Sequence, residues 1–266
     1  MAIIINPISP VAFSIGPMDV RWYALAYVAA FIVGYWLFRK LIHQRNSGIH
    51  LDRGQMDDLF TAVILGVILG GRLGYVLFYN LSFFLAHPME IFAVWHGGMS
   101  FHGGLIGVIV AMLWFGHRTR VNPWRILDMI AVVAPIGLFF GRIANFVNQE
   151  VMGRPTDMPW GVVFAGDTIT IPRHPSPLYE AATEGLILFV LMYVLCRWTG
   201  LRRHPGALSG VLAMGYGVAR IFCEQFRAPD PQIGFLTSWG LTMGQLLSAM
   251  MFFAGALIFA IAFRKK

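Results

Sequence analysis

The chain has 266 residues, 57% of them hydrophobic and 12% charged, with a mean hydropathy of +0.66 and a formal net charge of +7. A soluble domain is roughly one quarter charged, so this chain cannot cover a water-facing globule, and it is too apolar for a disordered one. The composition is that of a polytopic membrane protein, and the positive balance fits loops near anionic lipid headgroups better than nucleic-acid binding.

The first eighteen residues carry no charged side chain, so the basic start of a cleavable signal peptide is not expected. Seven apolar segments follow, over roughly 21–41, 58–80, 92–115, 126–146, 178–197, 206–226 and 237–262. The first, second, fifth and seventh are plain apolar runs. The third, fourth and sixth hold Gly, Arg, His and Asn, which are expensive in a bilayer and therefore informative. Arg39, Lys40, Arg45 and Arg53 follow the first segment. Arg118, Arg120 and Arg125 follow the third, Arg197, Arg202 and Arg203 the fifth, and Arg264, Lys265 and Lys266 the seventh. The opposite side holds only Arg21, Arg154, Arg173 and Arg227. The positive-inside rule then predicts an all-α polytopic membrane protein with seven transmembrane helices, the N-terminus outside and the C-terminus inside. Residues 1–266 form a single integral membrane domain on this reading.

The longest connection, 147–177, is expected to be a small extracytoplasmic cap. Within it Trp160–Phe164 and Thr168–Ile171 are β-prone and flank Ala165-Gly-Asp167, which predicts a β-hairpin. Cys196 and Cys223 have no metal or CxxC spacing and read as free, small apolar residues. No fixed-period repeat is visible, so an inverted-repeat transporter is not supported. A lipid transporter would also need a charged path toward the cytoplasm, where Arg72 and Asp128 are the only candidates.

Five constellations carry chemical potential. Trp95-His-Gly-Gly-Met-Ser-Phe-His-Gly-Gly104 has four glycines in eight residues, which weakens a helix. Close helix packing explains the glycines but not His96 and His102, and an imidazole there suits a general base. Two histidines alone do not make a metal site. Gly141-Arg-Ile-Ala-Asn-Phe-Val-Asn-Gln-Glu-Val-Met-Gly153 places Arg142, Asn145 and Gln149 on one helical face, with Asn148 and Glu150 at its exit. An Arg fork matches phosphate geometry. Arg220, Glu224 and Arg227 share a second face, where Glu224 can orient Arg220 toward an anion. His174-Pro-Ser-Pro-Leu-Tyr-Glu180 starts the fifth segment, with Glu184 one turn on; it also suits a plain helix start with an acidic first turn. Arg21-Trp-Tyr23 ends the first segment on the outer side, where Trp22 suits an aromatic belt. Together these predict one site near the outer leaflet, fitted to an anionic phospholipid head.

These residues resemble a known family. Trp95–Gly104 resembles the His-Gly-Gly-rich segment of prolipoprotein diacylglyceryl transferases. Gly141–Gly153 is similar to that family's signature, Gly-Arg-x-x-Asn-Phe-x-Asn-x-Glu-x-x-Gly. His174–Glu180, Arg220–Asp230 and Trp22-Tyr23 resemble further motifs, so the likeness covers the whole chain. His96 departs from the pattern, and no role is carried to it. The resemblance implies transfer of the sn-1,2-diacylglyceryl group from phosphatidylglycerol to the lipobox cysteine of a prolipoprotein signal peptide. It also implies a place in the bacterial cytoplasmic (inner) membrane, with the site facing outward and no metal or other cofactor. On this reading His102 is the base, Arg142 and Arg220 stabilise the leaving phosphate, and Glu224 and Glu150 orient guanidiniums. Asn145 positions the lipid head and Tyr23 hydrogen-bonds substrate, with Asn148, Gly153 and Arg227 completing the binding set.

Overall fold

The computed structural model describes residues 3–4, 8–16, 18–44, 47–165, 167, 169–229, 234–237 and 240–264. The described chain is mostly helical. In order it forms β1 (Ile3–Ile4), β2 (Val11–Ile15), β3 (Met18–Arg21), α1 (Trp22–Ile42), α2 (Arg53–Phe78), α3 (Leu81–Ala86), α4 (Phe101–Thr119) and α5 (Pro123–Val147). Then come β4 (Val162–Val163), α6 (Ser176–Glu180), a π-helical stretch Ala181–Ile187, α7 (Leu188–Trp198), α8 (Ala207–Cys223) and α9 (Met243–Arg264). The α6–π–α7 run is one continuous rod. Among the described residues, five helices are long and apolar enough to cross a membrane: α1, α2, α5, this rod and α9. Helix α8 is apolar but shorter. The predicted segment 92–115 is not one helix. Gly97 and Gly98 take φ of 84° and 80° and break it, and α4 starts only after Ser100, whose hydroxyl accepts from the Gly103 amide at 3.2 Å.

The chain divides into two compact units, 1–38 with 128–266, and 39–127. In the 39–127 unit α2 opens with a capping box, Asp52 accepting from the Gln55 amide at 2.8 Å while the Gln55 side chain accepts from the Asp52 amide at 3.1 Å. Helices α2 and α4 then pack backbone to backbone. A Cβ on Gly66, Gly70 or Gly74 would strike Gly107 or Gly103, and the reverse holds too. In a bilayer, where lipid tails are as apolar as Leu, such small-residue contact drives helix association. Arg72 is buried on α2. Its guanidinium donates to the carbonyl oxygens of Ile91 (2.9 Å), Gly98 (3.2 Å), Ala93 (3.2 Å), Glu90 and Gly97. A cation inside an apolar unit is thus met by backbone oxygens of one irregular segment.

In the larger unit α8 and α9 pack through Gly210, Gly217 and Gly255. Asp128, also buried, accepts from the amides of Gly206 and Ser209 at 2.8 Å, so it caps the start of α8. The core of this unit includes Met129, Val132, Leu188, Met192, Leu208 and Cys223. Outward faces are apolar: Phe253 and Leu257 on α9 are 70% and 63% exposed, which suits lipid rather than water.

The strands correct the expectation for the cap. Val162 exchanges both backbone hydrogen bonds with Arg173 at 2.9 Å, so the antiparallel closure among the described residues is made at Arg173. Gly166 and Thr168, in the predicted turn and return limb, lie outside the described residues, as does Asp230. Strand β4 also pairs in parallel with β1. A second antiparallel pair, β2 with β3, precedes α1 and was not expected.

Candidate functional site

The larger unit gathers a charged cluster from three separate stretches. Arg142 comes from α5, Glu180 and Glu184 from the rod, and Arg220 with Glu224 from the end of α8. Arg142 Nη1 lies 2.9 Å from Glu180 Oε2, and Arg142 Nη2 donates to Glu184 Oε2 at 3.1 Å. Arg220 Nη1 donates to Glu180 Oε1 at 2.8 Å, and its Nη2 lies 3.0 Å from Glu224 Oε2. Arg227 Nη1 stands 3.6 Å from that same Glu224 oxygen. The Glu180 and Glu184 side chains are wholly covered, whereas Arg142 and Arg220 keep 20% and 11% of theirs exposed. Thr242 adds a hydroxyl, donated to Glu224 Oε1 at 3.1 Å.

A second group forms where α5 ends. The Gln149 amide donates to Phe146 O at 3.1 Å and the Glu150 amide to Asn145 O at 2.9 Å, with Gln149 left-handed at φ 58°. This is a Schellman ending without glycine. It removes Gln149 from the face shared by Arg142 and Asn145, against expectation. It also turns the Glu150 carboxylate back across the helix end. There Glu150 accepts from Asn145 Nδ2 at 3.1 Å and Asn148 Nδ2 at 3.4 Å, and among the described residues not from the expected guanidinium. Asn145, which is buried, also donates to the Tyr23 hydroxyl at 2.9 Å.

Gly153 follows and is a backbone crossing point. A Cβ there would lie 2.8 Å from the Phe226 carbonyl oxygen and closer still to that of His174, so only glycine fits. Arg154 then donates through Nε to Arg227 O at 2.9 Å, tying the cap to the end of α8. Beside it Trp160 Nε1 donates to the Tyr179 hydroxyl at 2.7 Å, and Tyr179 lies 3.1 Å from His174 Nδ1. Burial pushes the His174 imidazole below its ordinary value.

The structure therefore joins Arg142, Arg220, Glu224 and Arg227 in one group and Tyr23, Asn145, Asn148 and Glu150 in another, three residues apart on α5. His102 belongs to the 39–127 unit, exposed in the first turn of α4 with its ring edge-on to Phe101 at 5.6 Å. Glu180 and Glu184 enter this cluster although their own stretch reads as a plain acidic helix start. The available signal was two carboxylates one turn apart in an otherwise apolar span. Among the described residues no group of three or more His, Cys, Asp and Glu is arranged to hold a metal ion. Chemically, two guanidiniums held by shared buried carboxylates, on side chains that keep some exposed surface, suit a phosphate oxygen pair.

The sequence matches the model of the prolipoprotein diacylglyceryl transferases over residues 10–261. The chain belongs to that family. Proteins named phosphatidylglycerol–prolipoprotein diacylglyceryl transferase are among its relatives. The one from Methylocella silvestris is 51% identical over 264 residues, covering 97% of this chain and 95% of its own. That from Rhodospirillum rubrum is 52% identical over 260 residues, covering 97% and 94%. The Azospirillum brasilense protein is 50% identical over 266 residues, covering 100% and 98%. Residues Gly141–Gly153, within the matched region, contribute to both polar groups.

Proposed function

We propose that this protein is a transferase that moves the sn-1,2-diacylglyceryl group of phosphatidylglycerol onto the lipobox cysteine of a prolipoprotein, the first step of bacterial lipoprotein maturation. The observation that carries the reading is the Arg142–Arg220 pair, held by buried carboxylates within a chain of this family. The whole chain acts as a single integral membrane domain of the cytoplasmic membrane, with seven spans, the N-terminus outside and the C-terminus inside. Residues 147–177 are its outward cap.

The cysteine thiolate attacks the glycerol carbon bonded to phosphate oxygen. The C–S bond forms as the C–O bond breaks, giving a thioether and glycerol 1-phosphate. A free thiol has a pKa of about 8.5, so a base near neutrality raises the thiolate fraction, and His102 takes that proton. Negative charge grows on the departing phosphate, where the open edges of Arg142 and Arg220 donate to it in a water-poor site. Glu224 orients Arg220. Tyr23, Asn145, Asn148 and Glu150 form a hydroxyl–amide–carboxylate chain that binds the glycerol head. Gly153 lets the cap approach, and Arg227 extends the anion-facing edge.

The test is transfer itself: purified protein in detergent, phosphatidylglycerol and a synthetic lipobox peptide, read by mass spectrometry. A diacylglyceryl mass gain on the cysteine peptide, and none on a Cys→Ser peptide, is expected. Absence of any gain from folded, lipid-bound protein would reject the transferase reading.

A further inference from the structure

We propose that Glu180 and Glu184 are positioning residues that aim the Arg142 and Arg220 guanidiniums at a phosphate, an inference that rests on the transferase reading above. Each carboxylate reaches both arginines. Glu180 takes Arg142 Nη1 at 2.9 Å on one oxygen and Arg220 Nη1 at 2.8 Å on the other. Glu184 accepts from Arg142 Nη2 and Nε at 3.1 and 3.3 Å on one oxygen, and its other lies 3.5 Å from Arg220 Nη1. The two glutamate side chains have no exposed surface, while the Arg142 and Arg220 side chains keep some. The acids are therefore the more deeply covered partners, and the exposed surface of these pairs belongs to the arginines.

The local backbone is built for this. Glu184 sits within the π-helical stretch and Glu180 at its edge. Widened turns of this kind recur at functional sites. Gly185 within it lies directly on the Phe139 backbone of α5, since an added Cβ would come within 2.7 Å of Phe139 Cα. That close approach brings Glu184 level with Arg142. Arginine is a long, rotamer-rich side chain, and donors speed a reaction most when fixed before charge develops.

Charge alone opposes having these acids here. Two carboxylates and two guanidiniums sum to zero, so each glutamate weakens the attraction of an anion. A positioning role and a plain electrostatic one thus predict opposite signs. In Glu180→Gln and Glu184→Gln the site becomes more positive. If the acids act by aiming the arginines, kcat falls at least tenfold while KM for phosphatidylglycerol stays level or drops. Glu184→Asp keeps the charge but withdraws it by one methylene, and its kcat should fall as well.

The experiment uses the full-length protein in detergent, with phosphatidylglycerol and the lipobox peptide as substrates and thermal melting recorded for each variant. An unchanged or raised kcat in both Gln variants overturns the proposal. So does activity lost only in proportion to folded protein, or failure of all three variants to fold, because either assigns the acids to stability. Wild-type protein that binds the lipid yet transfers nothing would instead defeat the transferase reading on which the proposal rests.

Discussion

Asn145 donates its side-chain amide to the Tyr23 hydroxyl at 2.9 Å, joining the last turns of α5 to the first turn of α1 across 122 residues of sequence. The same amide nitrogen also reaches Glu150, so the tyrosine fixes which way the amide faces. Tyr23→Phe removes that hydroxyl and little else. A neutral hydrogen bond contributes about 1 kcal/mol net, so kcat/KM should fall roughly fivefold to tenfold in the peptide assay with the melting temperature nearly kept. Wild-type kinetics would remove Tyr23 from the site.

Arg142→Lys keeps a positive charge but loses the planar fork that spans Glu180 and Glu184. Charge-assisted hydrogen bonds contribute about 1.5–3 kcal/mol each, so kcat/KM should drop at least about tenfold. Steady-state kinetics at several phosphatidylglycerol concentrations check this. A lysine enzyme as fast as wild type would mean that charge alone matters there.

His102→Ala tests the base. General-base catalysis typically supplies about 10²–10⁴-fold, so turnover should fall about a hundredfold while phosphatidylglycerol binding is largely kept. The two are separated by a lipid-binding measurement beside the mass-spectrometric assay. Full turnover in the alanine variant would show that another group takes the thiol proton.

Gly153→Ala should be costly without touching charge. The new methyl group meets the carbonyl oxygens of Phe226 and His174, which belong to backbone and cannot swing aside. Overpacking of this kind costs about 1–3 kcal/mol. A lower melting temperature together with reduced activity is expected, and an unshifted melting curve would contradict the crossing geometry.

His174 gives the cap a pH dependence. Burial lowers its folded-state pKa below the unfolded value of about 6.5, so the unfolded chain binds the proton first. Stability from this residue is therefore complete above about pH 6.5 and declines as pH falls through the folded pKa. His174→Asn cannot titrate but keeps an acceptor for Tyr179, and should flatten this acid-side loss in thermal melts between pH 5 and 7. An identical slope in both proteins would place the loss elsewhere.

Much of the helical plan is legible in the apolar runs, because a span needs only length and a lack of charge. The polar end of α5 is legible as well: Arg142, Asn145, Asn148 and Glu150 are too many hydrogen-bonding groups for a lipid-facing turn. What each binds is not legible. Glu150 suits a guanidinium on sequence grounds and meets two amides instead, because a left-handed Gln149 reverses the chain and no local pattern announces that conformation in glutamine. Glu180 and Glu184 suit an ordinary acidic helix start when read along their own helix. Their role emerges only when α5 and α8 bring arginines to them, for Glu184 from 42 and 36 residues away. The β2–β3 pair is only weakly legible: Val11–Ile15 alternates and Gly16 follows it, but strands of five and four residues carry little pattern beside a long apolar helix.

Arg72 carries a consequence for the order in which the protein is made. Its oxygen partners lie 18 to 26 residues further along the chain. While α2 emerges from the ribosome and meets the bilayer, those carbonyls do not yet exist, and an unpaired guanidinium within an apolar span is costly. Helix α2 therefore settles to its final depth only after the segment through Gly98 has been synthesised and folded around it. A nascent chain halted before that point should hold α2 less firmly than one released ten residues later, so the wait is written into the chain by one buried cation.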